Sequence, residues 1–288
     1  MVGTLDMEPP EPFRPSIGAA RRTCSAPGAV GVELLLSASG HRRSGDGYPV
    51  AVLRQPPLPA LTSVRFFAAL IVVLFHFGGP SLGWAPEALR HIVGAGYTGV
   101  SLFFVLSGFI LAYVYHGRSV HNGRFWWARF ARVYPLFVFA LLIAFPGFLR
   151  GFLAGDFPAQ TPLLSPLLLH AWDPRSACAW NCPGWSLSVE AFFYLTFPFL
   201  LVLLRDRARR SLIAVALGAW LVMLLPPLAY VFTQVGGASA TPETPSVILE
   251  VLKYNPLLHL PEFVLGVASG ILFVRGVRLP RPGVTPWV

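Results

Sequence analysis

The sequence predicts an all-α protein, a polytopic transmembrane helix bundle of about six spans. Of its 288 residues, 55% are hydrophobic and only 12% are charged, and the mean hydropathy is +0.61. Because soluble domains carry about 25% charged residues, this composition excludes an ordinary soluble fold. The apolar residues form runs near the ~20 residues that a helix needs to cross a bilayer. The predicted spans are Leu61–Pro80, Tyr97–Tyr115, Pro135–Leu153, Pro183–Leu204, Leu212–Phe232 and Leu257–Val274.

Clusters of arginine mark alternate loops between these runs. The net charge is +9, and the clusters follow the second, fourth and sixth runs. By the positive-inside rule, these loops and the N-terminus are expected in the cytoplasm, so the first span runs from inside to outside. The charges do not lie along one amphipathic face, and they therefore indicate a lipid bilayer rather than a nucleic acid as partner. The arginines concerned are Arg118, Arg124, Arg129, Arg132, Arg205, Arg207, Arg209, Arg210, Arg275, Arg278 and Arg281.

Residues 1–58 differ in composition from the rest of the chain. They are rich in Pro, Gly, Ser and Arg and contain no apolar run long enough to span a bilayer. Such a segment cannot bury enough apolar surface to fold by itself. We therefore predict a disordered cytoplasmic tail at 1–58, followed by a transmembrane domain at 59–288.

Ionisable side chains fall inside the predicted spans, where they are costly and by default functional. Arg65 and His76 stand eleven residues apart in the first span, so a helix places Arg65 near the inner face and His76 near the outer one. Glu190 lies seven residues into its span, at a depth comparable to that of His76. We expect one outward-facing pocket around His76 and Glu190, with Glu262 and the neighbouring His259 as weaker candidates.

Five stretches of the chain carry a resemblance to a known family. They occur in order over residues 61–274, and in that order and spacing they resemble the acyltransferase 3 family of multi-spanning membrane proteins. That family transfers acyl groups from cytoplasmic acyl-CoA to hydroxyl groups of sugars and other acceptors. The stretches are RFFAALIVVLFH (Arg65–His76), GYTGVSLFFVLSGF (Gly96–Phe109), RFWWARFARVYP (Arg124–Pro135), WSLSVEAFFY (Trp185–Tyr194) and PEFVLG (Pro261–Gly266).

The resemblance implies a membrane O-acyltransferase of the bacterial cytoplasmic membrane. The donor is acyl-CoA, with acetyl-CoA favoured, no metal is implied, and the acceptor is a hydroxyl of a polysaccharide or small molecule. His76 is then the catalytic base, and Glu190 acts near the acceptor. Arg129 and Arg132, joined by Arg65, bind the acyl-CoA. Family members usually have several more spans, so the chain is expected to be incomplete at its C-terminus or a reduced member.

These residue types suit acyl transfer from a thioester to an alcohol. A neutral imidazole is a serviceable base near neutral pH, and Glu190 would fix its tautomer if it accepted a hydrogen bond from His76. Arg129 and Arg132 share a face if their stretch is helical, and guanidinium groups bind phosphate oxygens in pairs. The competing interpretations are that these arginines only set topology, that Arg65 extends to the membrane surface, and that Glu190 belongs to a structural pair.

Two other functions remain open at this stage. A transporter or acyl exporter would use the same polar residues as a relay, although the six runs show no inverted repeat. An inactive fragment is the other alternative. In the outer loop, Cys178 and Cys182 are close enough in sequence for a disulfide, with Cys24 left over. No histidine or second cysteine pair lies near them to complete a metal site.

Overall fold

The computed structural model describes residues 56–78, 84–233 and 247–276, and the regular structure in these residues is entirely helical. The predicted tail lies outside the described residues except for residues 56–58. The α-helices are α1 (Pro59–Phe77), α2 (Glu87–Gly94), α3 (Thr98–Tyr115), α4 (Asn122–Ala154), α5 (Thr161–Leu164), α6 (Trp185–Leu204), α7 (Arg209–Met223), α8 (Leu225–Thr233), α9 (Val247–Tyr254) and α10 (Pro256–Val274).

Six helical segments of the described residues are long and apolar enough to cross a membrane, which confirms the predicted fold class. Three of them are compound, formed by α2 with α3, α7 with α8, and α9 with α10. Asn255 separates α9 from α10, and its side chain accepts a 3.0 Å hydrogen bond from the backbone nitrogen of Leu257. The segments are Pro59–Gly78, Glu87–Tyr115, Asn122–Ala154, Cys182–Leu204, Arg209–Phe232 and Val247–Val274.

The third span begins earlier than the sequence predicts. The predicted start is Pro135, whereas α4 begins at Asn122 and continues through the proline. Proline removes one backbone hydrogen bond, which membrane helices tolerate when neighbouring groups compensate. The 33 residues of α4 make a helix of about 50 Å, longer than a hydrocarbon core of about 30 Å. Consequently Arg124, Arg129 and Arg132 lie on a helix and not in a loop.

The centre of the bundle is the close packing of α3 against α10. A Cβ atom on Gly108 would overlap the carbonyl oxygen of Phe263, and one on Gly266 would overlap that of Val105. Small residues allow membrane helices to approach this closely. Aromatic rings from α3, α6 and α10 fill the core beside this contact, where the buried residues include Phe104, Phe193, Phe197 and Phe263.

Helix α1 lies at the edge of the bundle and packs against the start of α3. A Cβ atom on Gly96 would lie 2.7 Å from the carbonyl oxygen of Ile71, and one on Gly99 would lie 2.8 Å from Cγ2 of Val72 and 3.2 Å from the carbonyl oxygen of Ala68. Later residues of this segment therefore contact earlier residues of α1. The two helices are antiparallel.

Just before α6 begins, the segment between α4 and α6 packs against α4 and is hydrogen-bonded to it. The ring of Trp180 stacks on Phe148 with centroids 4.2 Å apart, and its Nε1–H donates a 3.0 Å hydrogen bond to the carbonyl oxygen of Leu141. Cys178 and Cys182 form a disulfide on either side of this tryptophan. These contacts fix where α6 enters the bundle.

Candidate active site

Four helices, α1, α3, α4 and α6, surround a cavity of about 510 Å³. Its remaining lining includes apolar side chains such as Val72, Phe103 and Ile110, so the polar groups face a largely apolar space. The five main residues that the sequence predicts for the site line this one cavity, and they are Arg65, His76, Arg129, Arg132 and Glu190.

His76 lies in the last turn of α1, and its ring is held by the helix itself. Its Nδ1 atom is 2.9 Å from the carbonyl oxygen of Val72, four residues earlier. A carbonyl oxygen only accepts, so Nδ1 carries the proton in this hydrogen bond. In the neutral ring Nε2 is then unprotonated and able to accept a proton. The sequence suggests Glu190 as the orienting partner if it accepts a hydrogen bond from His76, but the observed partner of Nδ1 is the backbone of α1.

Glu190 is held by two hydroxyl groups. Its Oε1 atom accepts a 3.2 Å hydrogen bond from Ser107 on α3 and a 2.5 Å hydrogen bond from Tyr194, one turn further along α6. Within the part of the chain that the structure describes, Oε2 of Glu190 has no hydrogen-bond partner. Oε1 is thus occupied by hydrogen bonds within the protein, and Oε2 can accept a hydrogen bond from a ligand.

Glu190 also lies deeper than the sequence predicts. Its partner Ser107 is eight residues beyond Gly99 on α3, a distance of about 12 Å, and Gly99 packs beside Val72. Because α1 and α3 are antiparallel, Glu190 lies at a depth nearer the Arg65 end of α1 than the depth of His76. It is close enough to Arg65 for the two charges to interact.

The difference in depth arises from where α6 begins. The prediction counts residues from the start of the span as though each helix started at the membrane surface. In the structure the ring of Trp185, the first residue of α6, contacts Phe104 in the middle of α3, with centroids 6.0 Å apart. The start of α6 is therefore recessed, and every residue of α6 is displaced inward with it.

Arg129 lies in an aromatic pocket beside Glu190. Its guanidinium carbon is 5.5 Å from the ring centroid of Phe125, 5.9 Å from that of Tyr194 and 6.0 Å from that of Tyr115. One terminal nitrogen donates a 3.4 Å hydrogen bond to the Tyr115 hydroxyl. The buried Nε atom has no hydrogen-bond partner among the described residues, which leaves a donor for a bound anion.

Arg65 and Arg132 add two more positive charges to this part of the cavity. They interact electrostatically with each other, and the Nε atom of Arg65 is also buried without a hydrogen-bond partner among the described residues. In residues 56–78, 84–233 and 247–276, no carboxylate lies within ion-pair distance of Arg65, Arg129 or Arg132. Glu190 is the one carboxylate of the cavity lining that faces these three positive charges, so a net positive charge remains that favours an anionic ligand.

His259 and Glu262 form a pair behind the cavity wall and do not line the cavity. Nδ1 of His259 is 3.3 Å from Oε2 of Glu262, whose side chain is buried. The His259 ring packs against Trp185 and Phe104, with both centroids at 5.3 Å. Glu262 therefore does not join His76 and Glu190 in one pocket.

The hydrogen-bonding residues that support the predicted site were not identified from the sequence. Tyr194 follows Glu190 by four residues, a spacing that favours a contact on a helix. Ser107 lies 83 residues before Glu190, and its pattern indicates only close helix packing. Trp126 is interpreted most simply as a membrane-interface residue, yet its Nε1–H donates a 3.1 Å hydrogen bond to the carbonyl oxygen of Tyr194. Only the first of these contacts has a signal in the sequence.

The fold and this cavity define a multi-spanning membrane protein with an ionisable site inside the helix bundle. A family model described as "Acyltransferase domain" matches residues 58–285. The chain belongs to this family of acyltransferases, the acyltransferase 3 family that its motifs resemble.

Several curated proteins are similar in sequence. The chain is 34% identical over 232 residues to acyltransferase MdmB of Streptomyces mycarofaciens, which covers 76% of this chain and 58% of MdmB. It is 29% identical to the exopolysaccharide production protein ExoZ of Rhizobium meliloti, with 72% and 58% covered. It is 27% identical to the peptidoglycan O-acetyltransferase OatA of Listeria monocytogenes, with 59% and 29% covered. The chain thus spans little more than half of MdmB and ExoZ, and no solved structure matches it.

Proposed function

We propose that the protein is a membrane O-acyltransferase that moves an acyl group from cytoplasmic acyl-CoA to a hydroxyl of an extracytoplasmic acceptor. The observation that carries this proposal is one cavity that combines an unprotonated imidazole nitrogen with three guanidinium groups, none of which has a carboxylate within ion-pair distance among the described residues. An acyl transfer needs a base for the hydroxyl proton and an anchor for a polyanionic donor. Membership of the acyltransferase family supports the same reaction.

Arg65, Arg129 and Arg132 are the proposed donor site. Guanidinium groups bind phosphate oxygens through pairs of charge-assisted hydrogen bonds, and acyl-CoA carries its phosphates at the end remote from the thioester. With the nucleotide held at these arginines, the pantetheine arm extends through the cavity toward His76. Arg65 and His76 are eleven residues apart on α1, about 16 Å along a helix.

His76 is the proposed general base. Its Nε2 atom takes the proton of the acceptor hydroxyl as the oxygen attacks the thioester carbonyl carbon. The carbon–sulfur bond then breaks, the new ester forms, and the departing CoA sulfur takes the proton from the imidazolium. Atoms and charges balance over this step, because the proton lost by the alcohol ends on the CoA thiol.

Glu190 is the second proposed catalytic residue, and we propose that it acts on the substrates rather than on His76. With Oε1 occupied by Ser107 and Tyr194, Oε2 is available to an O–H or N–H group of a bound substrate. Glu190 is half-buried, and a carboxylate that is partly shielded from water accepts a charge-assisted hydrogen bond more strongly than one in bulk solvent. Glu190 would thereby orient the reacting partners between the arginines and the imidazole.

Two observations support the proposed orientation, with the arginine end of the cavity in the cytoplasm. The arginine-rich ends of the spans are cytoplasmic by the positive-inside rule. The Cys178–Cys182 disulfide lies in the segment before α6, on the other side of the bundle, and disulfides persist in oxidising extracytoplasmic compartments. Acyl-CoA then enters from the cytoplasm, and the acceptor approaches His76 from outside.

A polysaccharide hydroxyl is the acceptor class that the comparisons support. One similar protein is named as a peptidoglycan O-acetyltransferase and another as an exopolysaccharide production protein. The chemistry of the site requires only a hydroxyl group that reaches His76, so small-molecule alcohols are a second acceptor class. Acetyl-CoA is the proposed donor because the named reaction of one of these proteins is an O-acetylation.

The test is a transfer assay on membranes that contain the full 288-residue chain. Membranes receive acetyl-CoA labelled in the acetyl group, and the label is followed into polysaccharide, lipid and small-molecule fractions while free CoA thiol is measured. We expect label in a hydroxyl-bearing fraction and an equal release of thiol, both absent with the H76A variant. Equal label and thiol release with wild type and H76A, or none with either, would overturn the proposal. Movement of substrate across the membrane without thiol release would instead indicate a transporter.

A further inference from the structure

One inter-helix hydrogen bond lies at the point where α6 lacks a backbone donor. Pro198 is inside α6 and has no N–H, so the carbonyl oxygen of Tyr194, four residues earlier, loses its helical partner. The Nε1–H of Trp126 on α4 donates a 3.1 Å hydrogen bond to this oxygen. The proline therefore creates an acceptor that a side chain of a different helix fills.

This bond joins α4, which carries Arg129 and Arg132, to α6, which carries Glu190. Trp126 precedes Arg129 by three residues and so shares a face of α4 with it. The ring of Tyr194 lies 5.9 Å from the Arg129 guanidinium, and its hydroxyl donates to Glu190. Among the hydrogen bonds that the structure describes between α4 and α6, this is the only one.

We propose that Trp126 is a positioning residue that fixes α4 against α6 and thereby holds the Arg129 guanidinium beside Tyr194 and Glu190. Apolar contacts such as the Phe125–Phe197 ring stack at 5.3 Å also hold the helices together, but apolar attraction is non-directional. A hydrogen bond to a single carbonyl oxygen has a preferred distance and angle and therefore specifies one relative position. The effect on donor binding rests on the proposed function, whereas the effect on helix placement does not.

The structural alternative is that Trp126 only satisfies a buried carbonyl group, which is costly when unpaired. The P198A substitution separates the two roles, because an alanine at 198 supplies the N–H that the Tyr194 carbonyl lacks. In the W126F/P198A variant the carbonyl is satisfied within α6, but the bond between the helices is still absent. If Trp126 is a positioning residue, the double variant should recover stability but not the distance between the helices or the CoA affinity. If Trp126 only satisfies the carbonyl group, the double variant should recover all three.

The chain offers a matched control in the next residue. Trp127 lies on the same helix, is 69% exposed, and has no hydrogen bond among the described contacts. W127F therefore makes the same chemical change without touching α6. W126F keeps an aromatic ring at the position and removes the N–H group.

The experiment measures helix placement and donor binding on the full chain in lipid nanodiscs. Spin labels on L136C and L195C, two exposed positions of α4 and α6, are placed in a C24S background and report the distance between the helices. Binding of CoA is measured by titration calorimetry, and stability by thermal unfolding.

We expect W126F to shift or broaden the label distance and to weaken CoA binding roughly tenfold, the value of one charge-assisted contact. W127F should leave both unchanged, and W126F/P198A should regain the wild-type unfolding temperature but not the distance or the affinity. An unaltered distance in W126F, or its full recovery with P198A, would overturn the positioning role. If the distance changes as expected while the wild type binds no CoA, the proposed donor site fails and the role of Trp126 in helix placement stands.

Discussion

In the last turn of α1, Nδ1 of His76 lies 2.9 Å from the carbonyl oxygen of Val72. Because this contact belongs to one helix, the imidazole is oriented before any substrate binds and without help from another span. The resulting tautomer presents Nε2 as the proton acceptor, which is the property that a general base requires. The backbone here takes the part that a carboxylate has in a hydrolase triad.

The first prediction follows from that tautomer. Replacing His76 with alanine should lower the rate of acyl transfer by about 10²- to 10⁴-fold, the usual contribution of a positioned base, with little change in the KM for acetyl-CoA. The measurement is the initial rate of CoA thiol release at saturating acceptor.

His91 provides the control for that substitution. It lies on α2 and is exposed, and the polar partner of its side chain among the described residues is the exposed Glu87 at 3.3 Å, so H91A should keep the wild-type rate. A normal rate in H76A, or equal losses in both variants, would contradict the assignment of His76.

The second prediction concerns the donor site. Replacing Arg129 with alanine should raise the KM for acetyl-CoA roughly tenfold, because one charge-assisted phosphate contact is lost, and should change kcat less. Arg124, on the same helix, is exposed and does not line the cavity, so R124A is the matched control. If both variants behave alike, the arginines act only as topology signals.

The membrane spans and the residues of the cavity were predictable because their signals are local. Six apolar runs identify the spans, and an ionisable group such as Arg65 or Glu190 inside a run is conspicuous against its neighbours. The five predicted residues indeed line one cavity. Their roles in catalysis and donor binding remain predictions.

The partners and depths of these residues were not predictable, because they depend on how distant segments pack. The Glu190 carboxylate is bound by Ser107, 83 residues earlier, and its depth follows from the recessed start of α6. The proline at 135 looks like a helix start but lies inside α4. Trp126 resembles an interfacial residue, and its hydrogen bond depends on a proline that lies on another helix.

The third prediction tests the hydroxyl that holds Glu190. E190Q should lower kcat roughly tenfold or more, since a neutral amide accepts the substrate hydrogen bond more weakly than a carboxylate. Y194F should lower it less, because Ser107 still donates to the same oxygen. If Tyr194 acts through Glu190, the double variant should be no slower than E190Q, and a double-mutant cycle measures this coupling. Fully additive losses would show that Tyr194 acts independently.

The fourth prediction concerns the contact between α3 and α10. A Cβ atom on Gly266 would overlap the backbone carbonyl of Val105, which cannot move aside as a flexible side chain can. G266A should therefore lower the free energy of unfolding by about 1–3 kcal/mol, as overpacking commonly does. On α7, the position that a Cβ atom of Gly218 would take has no atom of the described residues within 4 Å, apart from its own turn of helix. G218A should leave the stability unchanged or raise it by up to about 1 kcal/mol, and thermal unfolding in detergent compares the two.

The fifth prediction is a pH dependence of stability that arises outside the spans. His170 lies in the segment between α4 and α6, is 3% exposed, and stacks on Phe137 at 5.9 Å. Burial lowers the pKa of His170 below its ordinary value of 6.5, and the nearby backbone of Gly184 and Ser165 opposes this only in part. The folded state thus favours the neutral ring, whereas the unfolded chain takes up a proton near pH 6.5. The stabilisation is present above that pH and is lost as the pH falls toward the lowered pKa.

Thermal unfolding at pH 7.5 and at pH 5 checks this sign. The wild-type unfolding temperature should fall on acidification, and H170F, which keeps a ring against Phe137 but cannot be protonated, should show a smaller fall. H91F removes an exposed histidine and should retain the full wild-type pH dependence. An equal fall in wild type and H170F would mean that another group is responsible. A rise in the unfolding temperature at pH 5 would mean that the folded state binds the proton more tightly, the reverse of what burial of this ring predicts.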